Sequence, residues 1–258
     1  VDHALEFPVL LSLIDERSGA FRTTLASAPG LDVPVPTCPE WTLFDLARHL
    51  GEVHRHWAAI VAAGPADGSS GTAPEDHHPA PPREREALLA WSAESTRRLL
   101  SALREAGPDR GCETWWGASQ SPQTSGSVAR HQVQEATVHT YDAQSALGTP
   151  RPLPEEAALD GVEEFLFTCC ATTSAWPHEP ATLDFHATEG RSWRLMLSAE
   201  GARAARFTAP ATTPATASAR ATAGELVLTL YDRIPLDSVK LDGDRRVLSL
   251  LQEWEPED

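Results

Sequence analysis

Lysine is almost missing from this chain: of 21 basic residues only Lys240 is a lysine, and 37 acidic residues leave a formal net charge of −16. A chain so acidic lacks the basic footprint that phosphate recognition needs, so nucleic-acid binding is excluded. The same balance argues against electrostatic docking on an anionic membrane. No apolar run approaches the ~20 residues needed to cross a bilayer, and no signal-peptide pattern is read in the opening residues. Cysteine is scarce and badly spaced for a framework. Cys38, Cys112, Cys169 and Cys170 form no CxxC, and a vicinal pair is a poor start for disulfides. A reducing, cytoplasmic compartment is expected. Glycine-rich phosphate loops, HExxH and GxSxG are absent too, which removes the commonest nucleotide-binding, zinc-protease and serine-hydrolase readings.

What remains is a chain of 258 residues, 41% hydrophobic, long enough for one large domain or two ordinary ones with a real core. The first half reads as four helices. Leu10, Leu13, Ile14, Phe21 and Leu25 take helical spacings between about 3 and 28. Thr42 and Asp45 form a capping box that opens a second helix with one stripe of Leu43, Leu46, Leu50, Val53, Trp57 and Ile60. A third helix is expected over about 83–106, and a fourth from about Val128 to Leu147, stopped by Gly148. Four helices of similar length predict an antiparallel bundle over residues 1–149. After the stiff Thr149-Pro-Arg-Pro-Leu-Pro154 linker the texture changes. A helix over about 155–172 leads to period-2 segments at 182–187, 193–197, 205–208 and 216–220. A helix over 224–233, a strand at 239–241 and a final helix follow. Helices first and strands later predict an α+β chain of two domains, with residues 150–258 forming the second, small α+β domain.

The ten histidines are unevenly spread, and His49, His54, His56, His131 and His139 fall in the second and fourth helices. In the fourth, His131, Glu135, His139 and Asp142 lie within a ~80° arc that Val128, Val138 and Ala146 share, so this polar stripe faces inward. Buried ionisable groups are costly unless paired or bound to metal. Residues four apart rise ~6 Å, so Glu135 and His139 can converge on one ion, whereas His131 and His139, ~12 Å apart, cannot easily share one. A third ligand must come from another helix. His49 and His54 flank the second helix's apolar stripe on opposite sides, and periodicity does not choose between them. Three N/O ligands with one open position describe a catalytic Zn²⁺ or a similar divalent ion.

Two segments carry a family resemblance. Cys38-Pro-Glu-Trp41-Thr-Leu-Phe-Asp45-Leu-Ala-Arg-His49-Leu resembles the CPxW(S/T)xxDLxxHL opening of the mycothiol-dependent maleylpyruvate isomerase family. The run from Arg130 through Glu135, His139 and Asp142 resembles its second signature. Residues 224–233 and 239–244 are similar to its C-terminal, sterol-carrier-like domain. The resemblance implies a DinB-like metal-binding bundle with zinc on His49, Glu135 and His139. It also implies mycothiol as thiol cofactor, Asp142 orienting His139, and Arg130 and Arg233 gripping a substrate carboxylate. His54, His56 and His131 are then left as neighbouring or surface groups. Trp115 and Trp116 stack on a ligand or lid the bundle. Cys38, beside Pro39 at a helix entrance, is expected to be structural, as are Cys169 and Cys170 among Phe165, Leu166 and Phe167.

The expected activity is therefore thiol addition to a small electrophile, as in cis–trans isomerisation. A mycothiol S-transferase, a hydrolase using metal-bound water, and a non-catalytic small-ligand binder are the alternatives.

Overall fold

The computed structural model describes residues 4–65, 80–207 and 213–255. His77 and His78, which the sequence sets among prolines and so in solvent, lie outside them, as do residues 208–212 of an Ala/Thr-rich run that begins at Thr208. The chain divides into two compact units: Val1–Trp115 with Gln123–Leu153, and Trp116–Pro122 with Pro154–Asp258.

Among the described residues of the first unit four helices form, α1 (Phe7–Ser27), α2 (Leu43–Ala63), α3 (Arg85–Ala106) and α4 (Ser125–Ala146). Thr42 caps α2 through the expected box, its side chain accepting from the Asp45 N–H while Asp45 accepts from the Thr42 N–H. At the far end of α4, Gly148 takes φ +68, the left-handed conformation that releases the chain from a helix. The principal contacts run α1–α3, α3–α2, α2–α4 and α4–α1. The helices therefore ring the core in that order, and α1 and α2, consecutive in sequence, stand diagonally. Phe21, Leu25, Leu43, Leu46, Leu50 and Leu88 fill one end of the interior.

In the second unit α5 (Glu155–Glu164) runs into one π-helical stretch, Phe165–Cys170. The helix expected to continue to Thr172 thus widens after Glu164, a change in winding that the apolar pattern does not reveal. A mixed sheet follows in the order β3–β2–β1–β4–β5. Its strands are β1 (Ala181–Ala187), β2 (Ser192–Ser198), β3 (Gly201–Arg206), β4 (Ala217–Ala221) and β5 (Lys240–Gly243). Among the described strands only β1 and β4 pair in parallel, and the helix α6 (Ala223–Leu230) packs on both. A last helix, α7 (Arg245–Glu253), ends the described chain. Strand alternation buries Leu183, Phe185, Trp193, Leu195 and Leu197, while Arg194 reaches across the sheet to Asp184 through two hydrogen bonds of 2.7 and 2.8 Å. Below the sheet, buried Glu163 of α5 accepts from Trp193 Nε1 at 3.2 Å and from the Arg206 guanidinium. The edge strand β3 has neighbours of its own. Ala202 exchanges both backbone hydrogen bonds with Thr172, and the Gln120 carboxamide accepts the Ala204 N–H and donates to the Ala204 carbonyl.

Candidate metal centre

The segment before α2 is a tight, hydrogen-bonded turn. Val35 N–H donates to the Trp41 carbonyl, Trp41 N–H to that of Cys38, and Leu43 N–H to that of Val33. Glu40 takes φ +68 to close it. Such a turn holds Thr37, Cys38 and Trp41 rigidly against the start of α2 and the end of α4. Thr37 Oγ1 donates to Asp142 Oδ1 at 2.6 Å, and the Cys38 thiol to Asp142 Oδ2 at 3.5 Å. Trp41 lies over His49, ring centroids 4.9 Å apart, and reaches His139 at 6.3 Å.

Within this frame the side chains of α2 and α4 converge. Glu135 Oε2 lies 3.5 Å from His49 Nε2 and 3.3 Å from His139 Nε2, and the three ligand atoms all fall within 4.8 Å of one another. His139 Nδ1 donates to the fully buried Asp142 at 2.9 Å, which leaves Nε2 as the nitrogen facing Glu135 and His49. Behind the carboxylate, His131 Nε2 stands 3.7 Å from the other oxygen, Oε1.

Electrostatics favours positive charge at this point. Burial alone would lower the His139 pKa, yet the hydrogen bond with Asp142, the Cys38 thiol and the facing Glu135 carboxylate raise it well above the usual imidazole value. For Glu135, burial pushes the carboxyl up, but contacts with His139 and His49 outweigh it and hold the group well below the ordinary range. Two carboxylates thus flank one imidazole. Glu135 Oε2 is buried and accepts no hydrogen bond among the described residues. A cation is the partner this donor set fits. Tetrahedral bonds of 2.0–2.1 Å to nitrogen and oxygen would place neighbouring ligand atoms about 3.3 Å apart, close to the observed contacts.

The other residues singled out in the sequence take varied places. His54, on the opposite flank of α2, is fully buried, with Nδ1 3.3 Å from Thr96 Oγ1 on α3; burial lowers its pKa to about 3. His56 is exposed and stacks edgewise on Trp57. Arg130 is half-buried on α4, and Arg233 belongs to the second unit, where its guanidinium donates to the Tyr231 carbonyl at 2.7 Å. The adjacent tryptophans part company: Trp116 is buried in the second unit, while Trp115 is 50% exposed against His131. Cys170 is buried, which pushes its thiol up to about 12; Cys169 is half-buried. Thr37 and Trp41 were not anticipated as neighbours of the cluster. Trp41 had a signal, standing in the CPxW run eight residues before His49; Thr37 had none.

The protein-family profile described as "Mycothiol maleylpyruvate isomerase N-terminal domain" matches residues 11–144, and the "MDMPI C-terminal domain" matches residues 156–250. No curated protein matches the chain. Two solved structures are similar in fold over 92% of this chain and 93% of theirs. A histidine-to-alanine mutant of the mycothiol-dependent maleylpyruvate isomerase has TM-score 0.62 at 13% identity, and the enzyme itself 0.59 at 14%.

Proposed function

Because this chain belongs to the mycothiol maleylpyruvate isomerase family, we propose that it is a metal-dependent enzyme that adds mycothiol to a small electrophile. His49, Glu135 and His139 are the proposed ligands of a divalent cation, and zinc is the ion their chemistry suits best. One observation carries the reading: a buried carboxylate oxygen without a hydrogen bond faces two imidazole nitrogens at 3.3 and 3.5 Å. A divalent ion held there would lower the pKa of a coordinated thiol enough for thiolate to exist at neutral pH.

The chain's own residues have distinct tasks in this scheme. Asp142 keeps the His139 ring in one tautomer and one orientation, and Thr37 and Cys38 hold Asp142 in turn. Trp41 covers His49 and His139 on one side and keeps water from them there. Arg130, on the same helix as Glu135 and His139, is assigned to a substrate carboxylate, which a guanidinium grips through two parallel hydrogen bonds. The reaction class is addition of the thiol to an activated cis double bond, rotation, and elimination to the trans product. An S-transferase would stop at addition or displacement.

Two measurements test this. His49→Ala is expected to lose most bound metal by elemental analysis, and full retention would remove His49 from the ligand set. Titrating mycothiol into cobalt-substituted protein is expected to raise a thiolate-to-metal absorption band. No band at saturating thiol would favour hydrolysis through bound water instead.

A further inference from the structure

Trp115 is one of two large hydrophobic side chains exposed among the described residues; the other, Met196, lies on the sheet of the second unit. A single exposed apolar residue needs no explanation by itself. Its neighbours make this one different. The Trp115 ring meets His131 at 5.6 Å between centroids and 75°, and His131 meets buried Trp57 at 6.4 Å and 72°, so the imidazole is fixed edge-on between two indoles. His131 is itself buried, and its Nε2 lies 3.7 Å from Glu135 Oε1. An open indole therefore stands one side chain away from the proposed metal ligands, on a support that packing holds still.

We propose that Trp115, buttressed by His131, is the subsite for the sugar end of mycothiol. This rests on the function proposed above. Mycothiol carries its thiol on an acetylated cysteine whose carbonyl is amide-linked to a glucosamine–inositol pair. From sulfur to the first sugar ring the extended arm spans about 6 Å. Glu135 Oε1, His131 and Trp115 stand in series at 3.7 and 5.6 Å, so with the sulfur at the His49–Glu135–His139 cluster the arm clears Glu135 and the glucosamine–inositol pair extends on towards Trp115. The apolar C–H face of a pyranose matches a flat, rigid indole, and its hydroxyls stay free for water. A Trp surface provides such contact at small entropic cost. Trp115 thereby selects among thiols: it adds affinity for the glycosylated one and nothing for a bare cysteine derivative.

The test is binding of two thiols to the cobalt-loaded full chain, followed by the thiolate band. Mycothiol is compared with N-acetylcysteine, which has the same thiol arm and no sugar. Trp115→Ala is expected to raise the Kd for mycothiol about tenfold, to leave that for N-acetylcysteine within twofold, and to leave metal content unchanged. Trp115→Phe, which keeps an aromatic face, is expected to recover most of the loss. Unchanged mycothiol affinity in Trp115→Ala, or equal loss for both thiols, would overturn the subsite while leaving the proposed function intact. Absence of a band with either thiol in the unmodified protein would overturn both.

Discussion

His54 makes the bundle's stability depend on pH in a window set by one side chain. Its ring is 1% exposed, Nδ1 faces Thr96 Oγ1, and Nε2 has no hydrogen-bond partner among the described residues. Burial disfavours the imidazolium most, with Glu135 opposing and the charges of Arg22, His139 and His49 adding to the depression, so the pKa falls from 6.5 to about 3. In the unfolded chain the ring titrates normally. The sign follows: above pH 6.5 both states hold a neutral ring and the full contribution is present. As pH falls from 6.5 towards 3 only the unfolded chain takes up the proton, and stability is lost. The loss approaches 1.4 kcal/mol per pH unit in that window, or about 2 kcal/mol between pH 7 and pH 5. The assay is urea unfolding of metal-free protein at both pH values, comparing the unmodified chain with His54→Gln, which removes the titrating group. The variant is expected to lose about 2 kcal/mol less than the parent over this interval. Equal losses would refute the claim that a neutral imidazole is enclosed there.

Further outcomes follow from other contacts. Asp142→Asn keeps the shape of the side chain and removes its charge, so metal affinity, read by competition with a chromogenic chelator, should fall about 10–100-fold; parental affinity would deny Asp142 its orienting role. At Gly51 an added Cβ would sit 2.0 Å from the Trp91 ring, so Gly51→Ala should cost about 1–3 kcal/mol in thermal unfolding, and an unshifted Tm would contradict the close approach. Thr222 caps α6 in a reciprocal box with Glu225, and Thr222→Ala should destabilise the second unit by about 1 kcal/mol, measured by denaturant titration.

Local signals in the sequence translated well into structure. The Thr42–Asp45 box opens α2 and Gly148 follows the end of α4, because caps depend on a few adjacent residues. The choice between His49 and His54 was beyond periodicity for a physical reason. Both flank the apolar stripe, and which neighbour each meets depends on the ring order of the helices. That order places α2 between α3 and α4, so one flank meets Thr96 and the other Glu135. A chain whose consecutive α1 and α2 stand diagonally gives no local sign of it. The third strand, expected at 205–208, lies at Gly201–Arg206, since its run of alanines offers little contrast between faces and its place is set by pairing with β2. Trp115 and Trp116 were indistinguishable in sequence, and their opposite exposures arise only from tertiary packing.

Hydrogen-bonding groups along the rim of a sheet are a template that a foreign strand can read, and chains that leave them open invite association by strand addition. Here the rim at β3 is already spoken for, because Thr172 and the Gln120 carboxamide occupy the outward groups of Ala202 and Ala204. The opposite rim, β5, is guarded differently: it is four residues long and presents exposed charge at Asp242 and at Lys240. The chain's lone lysine thus stands where a strongly hydrated, flexible cation most discourages a second strand from docking.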